Sequence, residues 1–128
     1  MSRFRTPLKN VRGLGSAKLG TEHFVMQRLT ATALVVLAIW FLVFVVSLIG
    51  ADFETARVAV AKPWNAILLV GMLVAMFWHA QIGLQVVLED YVHNTLLALA
   101  LQTTVKFIAV VGAIASIFAV VRIALGGA

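Results

Sequence analysis

Three apolar runs decide what this chain can become. Residues 29–50 and 64–88 carry no Asp, Glu, Lys or Arg, and residues 103–122 carry only Lys106 and Arg122, near the two ends of the run. Each run is close to the ~20 apolar residues that a helix needs to cross ~30 Å of hydrocarbon. In lipid every backbone N–H and C=O must be satisfied within the segment, so such runs fold as helices. The chain as a whole is 62% hydrophobic and 12% charged over 128 residues, with a mean hydropathy of +1.05. A soluble domain of this size has no core large enough to hold that much apolar side chain. The expected fold class is therefore all-α, a membrane protein with three transmembrane helices over residues 21–128. A basic segment over 1–20 precedes it.

The net charge of +5 is unevenly spread. Six of the ten Lys and Arg residues (Arg3, Arg5, Lys9, Arg12, Lys18, Arg28) precede the first apolar run. A basic arm can bind nucleic acid, but one that leads directly into a membrane span is explained by the excess of Lys and Arg on the cytoplasmic side. The expected topology places the N-terminus in the cytoplasm, the first loop outside, the second inside and the C-terminus outside. A cleaved signal peptide is not expected, because the first apolar run is too long and no small-residue cleavage site follows it. Thr21 is placed to cap the first helix, with Glu22 in its first turn. Residues 51–63 read as a short polar link, in which Asp52, Glu54, Arg57 and Lys62 sum to zero. Pro63 suits the first turn of the second helix and Trp64 its interface anchor. Residues 89–101 read as a mildly apolar connection that can begin the third helix early.

The absence of cysteine rules out disulfides, iron–sulfur clusters and thiolate metal sites built from this chain alone. No serine stands at triad spacing from a histidine and an acid, and no glycine-rich phosphate loop follows a strand. What remains is His79, an imidazole within the second apolar run. Ionisable groups at membrane depth usually face protein, a cofactor or a water-filled cavity. At ~100° and ~1.5 Å per residue, the steps from His79 to Asp90 make three turns plus ~20°, so both share one helix face ~16 Å apart. Gly71, Ala75 and Gly83 recur on the face of His79 at spacings of four, where small residues let a flat ligand or another backbone come close. Imidazole is a common axial ligand of haem iron, whereas a hydrogen-bonded packing histidine explains the same residue. Two imidazole ligands would need a second polypeptide, since His23 and His93 lie outside the apolar runs.

Asp90 and Tyr91 mark the end of the same helix. One reading is an interfacial helix end with its tyrosine in the aromatic belt. The other is a site for a lipid-soluble redox carrier, with the phenol donating to a quinone carbonyl and Asp90 relaying protons or orienting cationic partners. Arg28, entering the membrane from the same side, either snorkels to headgroups or meets a haem propionate or quinone oxygen.

The run His79-Ala-x-Ile-Gly-x-x-x-Val-Leu-x-Asp90-Tyr91-Val closely resembles the second helix of the small hydrophobic membrane anchor subunits of bacterial succinate dehydrogenase, respiratory complex II. Gly20-x-x-x-Phe24-x-x-x-Arg28-x-Thr30-Ala31 is similar to that family's entry into its first helix. Departures are His93-Asn94 after the tyrosine, where a basic residue and proline can stand, and a longer basic N-terminal tail. The resemblance implies that His79 is one axial ligand of haem b, paired with a histidine of a second hydrophobic anchor (cytochrome b) subunit. It implies ubiquinone binding at Tyr91, supported by Asp90, with Arg28 near the haem propionates or the quinone. Partners would be the second anchor, an iron–sulfur subunit and a flavoprotein subunit, with FAD and iron–sulfur clusters held only by the latter two. The expected home is the bacterial inner membrane, with the C-terminus periplasmic. A fumarate reductase anchor is the alternative within the same class, and a cofactor-free membrane adaptor or assembly protein the alternative outside it.

Overall fold

A computed structural model describes residues 18–126 of the chain. Most of the basic segment expected over 1–20 lies outside the described residues. Among the described residues four helices follow one another: α1 (Lys18–Ser47), α2 (Phe53–Ala61), α3 (Pro63–Tyr91) and α4 (Thr95–Ala124). Stretches Phe24–Ser47 of α1, Pro63–Tyr91 and Thr95–Ala124 are each long and apolar enough to cross a membrane, as the three runs required. The chain is a multi-pass, all-α membrane protein.

Helix ends differ from several of the sequence expectations. Because α1 begins at Lys18, Thr21 lies inside the helix rather than capping it. Along α1, the hydroxyls of Thr30, Thr32 and Ser47 donate back to the carbonyls of Met26, Arg28 and Phe44. Such back-bonding satisfies polar side chains where water is absent. The helix gives way to a turn ending at Gly50, whose φ of +81° is a conformation that glycine adopts without steric penalty.

Residues 51–63 are not a plain link, because most of them form α2. Asp52 is its N-cap, accepting from the Thr55 backbone N–H at 3.0 Å, and Glu54 sits in its first turn. Hydrogen bonding from Thr55, through its side chain first and its backbone N–H second, holds the Asp52 carboxyl below the usual carboxylate range. Glu54 and Arg57 pair at 3.2 Å on the exposed side. Asn65 Nδ2 reaches back from α3 to the Ala59 carbonyl at 2.7 Å, fastening α2 to the next helix.

Pro63 opens α3, where a missing N–H leaves nothing unsatisfied. The helix continues to Tyr91, past the expected end at 88, and at 29 residues it is ~44 Å long. Only Val92, His93 and Asn94 separate it from α4. Asn94 caps α4, its side-chain oxygen accepting from the N–H groups of Leu96 and Leu97 at 3.1 Å each. The early start of the third helix is thus the outcome, eight residues before the run at 103. Near this connection Glu89 accepts from Gln85 at 2.8 Å on its own helix and from Gln102 of α4 at 3.4 Å.

α3 is the middle of the arrangement. It packs against α1 on one side and α4 on another, while α1 and α4 make no close backbone approach to each other; α2 lies against α3 and α4. Among the described residues only Thr30, Ala66, Ala75 and Ile82 are buried. Valines, leucines and phenylalanines such as Val36, Val43, Phe107 and Phe118 stand exposed along α1 and α4. These helices form an open row rather than a closed bundle, and lipid or other protein must cover both its faces.

Candidate functional site

Where α1 crosses α3, a polar cluster sits in otherwise apolar surroundings. Its centre is His79, half-buried on α3, and it meets α1 through both ring nitrogens. Nδ1 lies 3.1 Å from the Thr30 hydroxyl oxygen, and Nε2 lies 3.5 Å from the side-chain nitrogen of Gln27. Thr30 is the one buried polar residue among those described, 8% exposed. Its Oγ1 is also 2.8 Å from the Met26 carbonyl and 3.2 Å from that of Gln27. The Gln27 side-chain oxygen is buried without any hydrogen-bond partner.

The small-residue face around His79 is divided between two environments. Ala75 is buried, and a Cβ on Gly83 would rest 3.6 Å from Gln27 Nε2, in ordinary contact. Gly71 is exposed, with nothing within 4 Å of the position a Cβ would take. In this chain, then, α1 is the neighbour that comes close at Gly83, while the surface at Gly71 is open.

Asp90 and Tyr91 end α3 in exposed positions, Tyr91 at 79%. Arg28 is exposed on α1, its guanidinium 5.2 Å over the Phe24 ring in a cation–π contact. Among the described residues no hydrogen bond or ion pair joins Arg28, Asp90 and Tyr91 to one another or to His79. Of the sequence-derived site residues, the structure encloses only His79 and leaves the other three facing outward. A cavity of about 460 Å³ between α3 and α4, lined by Val74, Phe77, Trp78, Gln81 and Lys106 among others, includes none of the four. A quinone site at Tyr91 would therefore need walls from another chain.

Thr30 and Gln27 are the residues that sequence reasoning did not assign to the site. Thr30 stands in the Gly20-to-Ala31 resemblance with no role attached to it, and its meeting with His79 spans 49 positions of sequence. No spacing rule reaches that far.

His79 is the side chain of this cluster of a type that can ligate a metal, and both its ring nitrogens have partners on α1. No group of three or more His, Cys, Asp or Glu able to hold a metal occurs among the described residues. Residues 2–121 match the family described as succinate dehydrogenase/fumarate reductase transmembrane subunit. The chain belongs to that family. The resemblance drawn from His79, Asp90 and Tyr91 is borne out by relatives along nearly the full length. A succinate dehydrogenase hydrophobic membrane anchor subunit of Rickettsia bellii is 33% identical over 91% of this chain and 94% of its own. Its counterpart from Paracoccus denitrificans is 31% identical over 97% of this chain and 95% of its own. That of Rickettsia conorii is 28% identical over 91% and 93%. No solved structure gives a significant match.

Proposed function

We propose that this chain is the hydrophobic membrane anchor subunit of a succinate dehydrogenase in a bacterial inner membrane, its N-terminus cytoplasmic and its C-terminus periplasmic. In this reading it fastens a flavoprotein subunit and an iron–sulfur subunit to the membrane. Together with a second, cytochrome b anchor, it forms a haem b site and a ubiquinone site. Three findings support it: family membership, relatives named as anchor subunits, and an open helix row that leaves α1 and α4 without a common core. The observation that carries the cofactor part is His79, set on the central helix within a span and held at Nδ1 by Thr30.

His79 would hold the iron through Nε2, together with a histidine of the second anchor. Haem, when bound, supplies a one-electron carrier. The protein's part is to bind, orient and exclude water, while the redox chemistry belongs to the cofactors. Thr30 and the close approach of α1 hold the imidazole against rotation. Arg28, exposed on α1, would supply a cation to a haem propionate or a quinone oxygen. Tyr91, exposed at the cytoplasmic end of α3, donates its phenolic hydrogen to a carbonyl of ubiquinone. Asp90 beside it passes protons toward a carrier that takes up two electrons and two protons to become ubiquinol. The isolated chain is not catalytic, because oxidation of succinate belongs to the flavoprotein.

Tyr91→Phe in the assembled complex tests the quinone role. Ubiquinone reduction should fall while succinate oxidation with an artificial acceptor continues at the parental rate. Equal losses in both would remove Tyr91 from the quinone site.

A second reading has one observation in its favour. Both nitrogens of His79 already have partners on α1, as in a packing histidine that joins two helices. In that case the chain is a cofactor-free adaptor, and replacing His79 alters stability alone.

A further inference from the structure

We infer that Thr30 is a positioning residue for His79: its hydroxyl sets the proton on Nδ1 and so leaves Nε2 as the nitrogen that takes the iron. This rests on His79 being a haem ligand, and it names the part of the chain that prepares the ligand.

Available hydrogens decide the tautomer. A hydroxyl has one hydrogen to give and two lone pairs to receive. Thr30 Oγ1 stands 2.8 Å from the Met26 carbonyl, a back-bond that spends its only hydrogen within α1. What remains toward His79 is a lone pair, 3.1 Å from Nδ1. Nδ1 therefore carries the hydrogen and donates it, and in the neutral ring the lone pair falls on Nε2. The donors then run in one direction from the ring through Thr30 to the Met26 carbonyl.

Contacts on the two ring nitrogens are unequal. The Thr30 contact at 3.1 Å is within ordinary hydrogen-bond range, whereas the Gln27 contact at 3.5 Å is at the limit of a hydrogen bond. Gln27 leaves its own oxygen buried and unmet while making that contact. Ligation at Nε2 would displace Gln27 from this contact. Thr30 has no such reason to move. A hydrogen bond from Nδ1–H fixes ring orientation and raises the basicity of the coordinating nitrogen.

The test is Thr30→Val in the assembled complex, a near-isosteric change that removes the hydroxyl. Haem affinity, read from b-type absorbance retained through detergent washing, should weaken roughly 10–100-fold. The haem midpoint potential should shift positive, because a less basic ligand stabilises ferric iron less. Thr30→Ser keeps the hydroxyl and should restore both values to the parent's. Parental haem retention and potential in Thr30→Val would overturn the inference, as would a loss in Thr30→Ser equal to that in Thr30→Val. Where the valine variant does not assemble, the serine variant decides: parental values uphold the role and valine-like loss overturns it. A parent complex with no b-type absorbance would overturn the ligation reading itself, and the parent spectrum shows this before any variant is made.

Discussion

Gly112 of α4 faces Phe77 of α3, and adding one methyl group there tests how the central helix is held. A Cβ on Gly112 would stand 2.8 Å from Phe77 Cε1 and 3.1 Å from Cζ. Carbon atoms in contact prefer ~3.5–4.0 Å, so Gly112→Ala requires roughly 0.7 Å of retreat. Phe77 borders the cavity of about 460 Å³ between α3 and α4, so its ring has space to turn. An off-rotamer ring costs about 0.5–1.5 kcal/mol, and a general overpacking penalty runs about 1–3 kcal/mol. Against this, alanine is favoured over glycine in a helix by about 1 kcal/mol. The single variant should therefore lose about 0–2 kcal/mol. The sharper measure is a double-mutant cycle with Phe77→Leu, which removes the obstructing end of the ring. The two changes should couple favourably by about 1 kcal/mol, within the range for touching residues. Equilibrium unfolding by SDS in mixed detergent micelles reads this, with the fluorescence of Trp78, which lines the same cavity, as a local probe. Additivity within ~0.5 kcal/mol, or a Gly112→Ala stabilised by the full ~1 kcal/mol that helix propensity supplies, would refute the close α3–α4 approach.

Two further outcomes concern helix caps. The Asp52 carboxyl is held below its ordinary value of 3.8, so its contribution to α2 is fully present above that value and is lost as pH falls through the depressed folded value. The protection of the Thr55 amide, relative to its intrinsic exchange rate at each pH, should fall in acid more than at uncapped positions, and Asp52→Ala should reproduce that loss at neutral pH; unchanged protection in Asp52→Ala would contradict the cap. Asn94→Ala removes the acceptor for two N–H groups at the start of α4, at a cost of about 0.5–2 kcal/mol. The measure is exchange protection over residues 95–98, and a parental value would place the cap elsewhere.

The membrane spans were legible because free energy in lipid is dominated by charge and backbone satisfaction, and both can be counted along a sequence. Boundaries were less so. Residues 51–63 read as a link because their charges cancel, although Asp52 three positions before Thr55, with Glu54 in the first turn, is a helix-start pattern. Thr21 offered the right chemistry for a cap, yet α1 was already under way at Lys18. Asn94 supplied the true cap of α4 from within a stretch read as connection. For the site, helical periodicity located His79 within a span and Tyr91 at the helix end. It did not locate Thr30 and Gln27, because their contact with His79 depends on how two helices cross. The face containing Gly83 was read as open to a ligand or a backbone, and α1 is the occupant the structure places there.

The central claim is that His79 holds haem iron, and a reduced-minus-oxidised optical spectrum of the purified complex tests it most directly. The parent should show a b-type band that is lost or strongly altered in His79→Ala, with all partner subunits still copurifying. An unaltered band in that variant, or a parent with no such band, would contradict the account and leave His79 as a link between two helices.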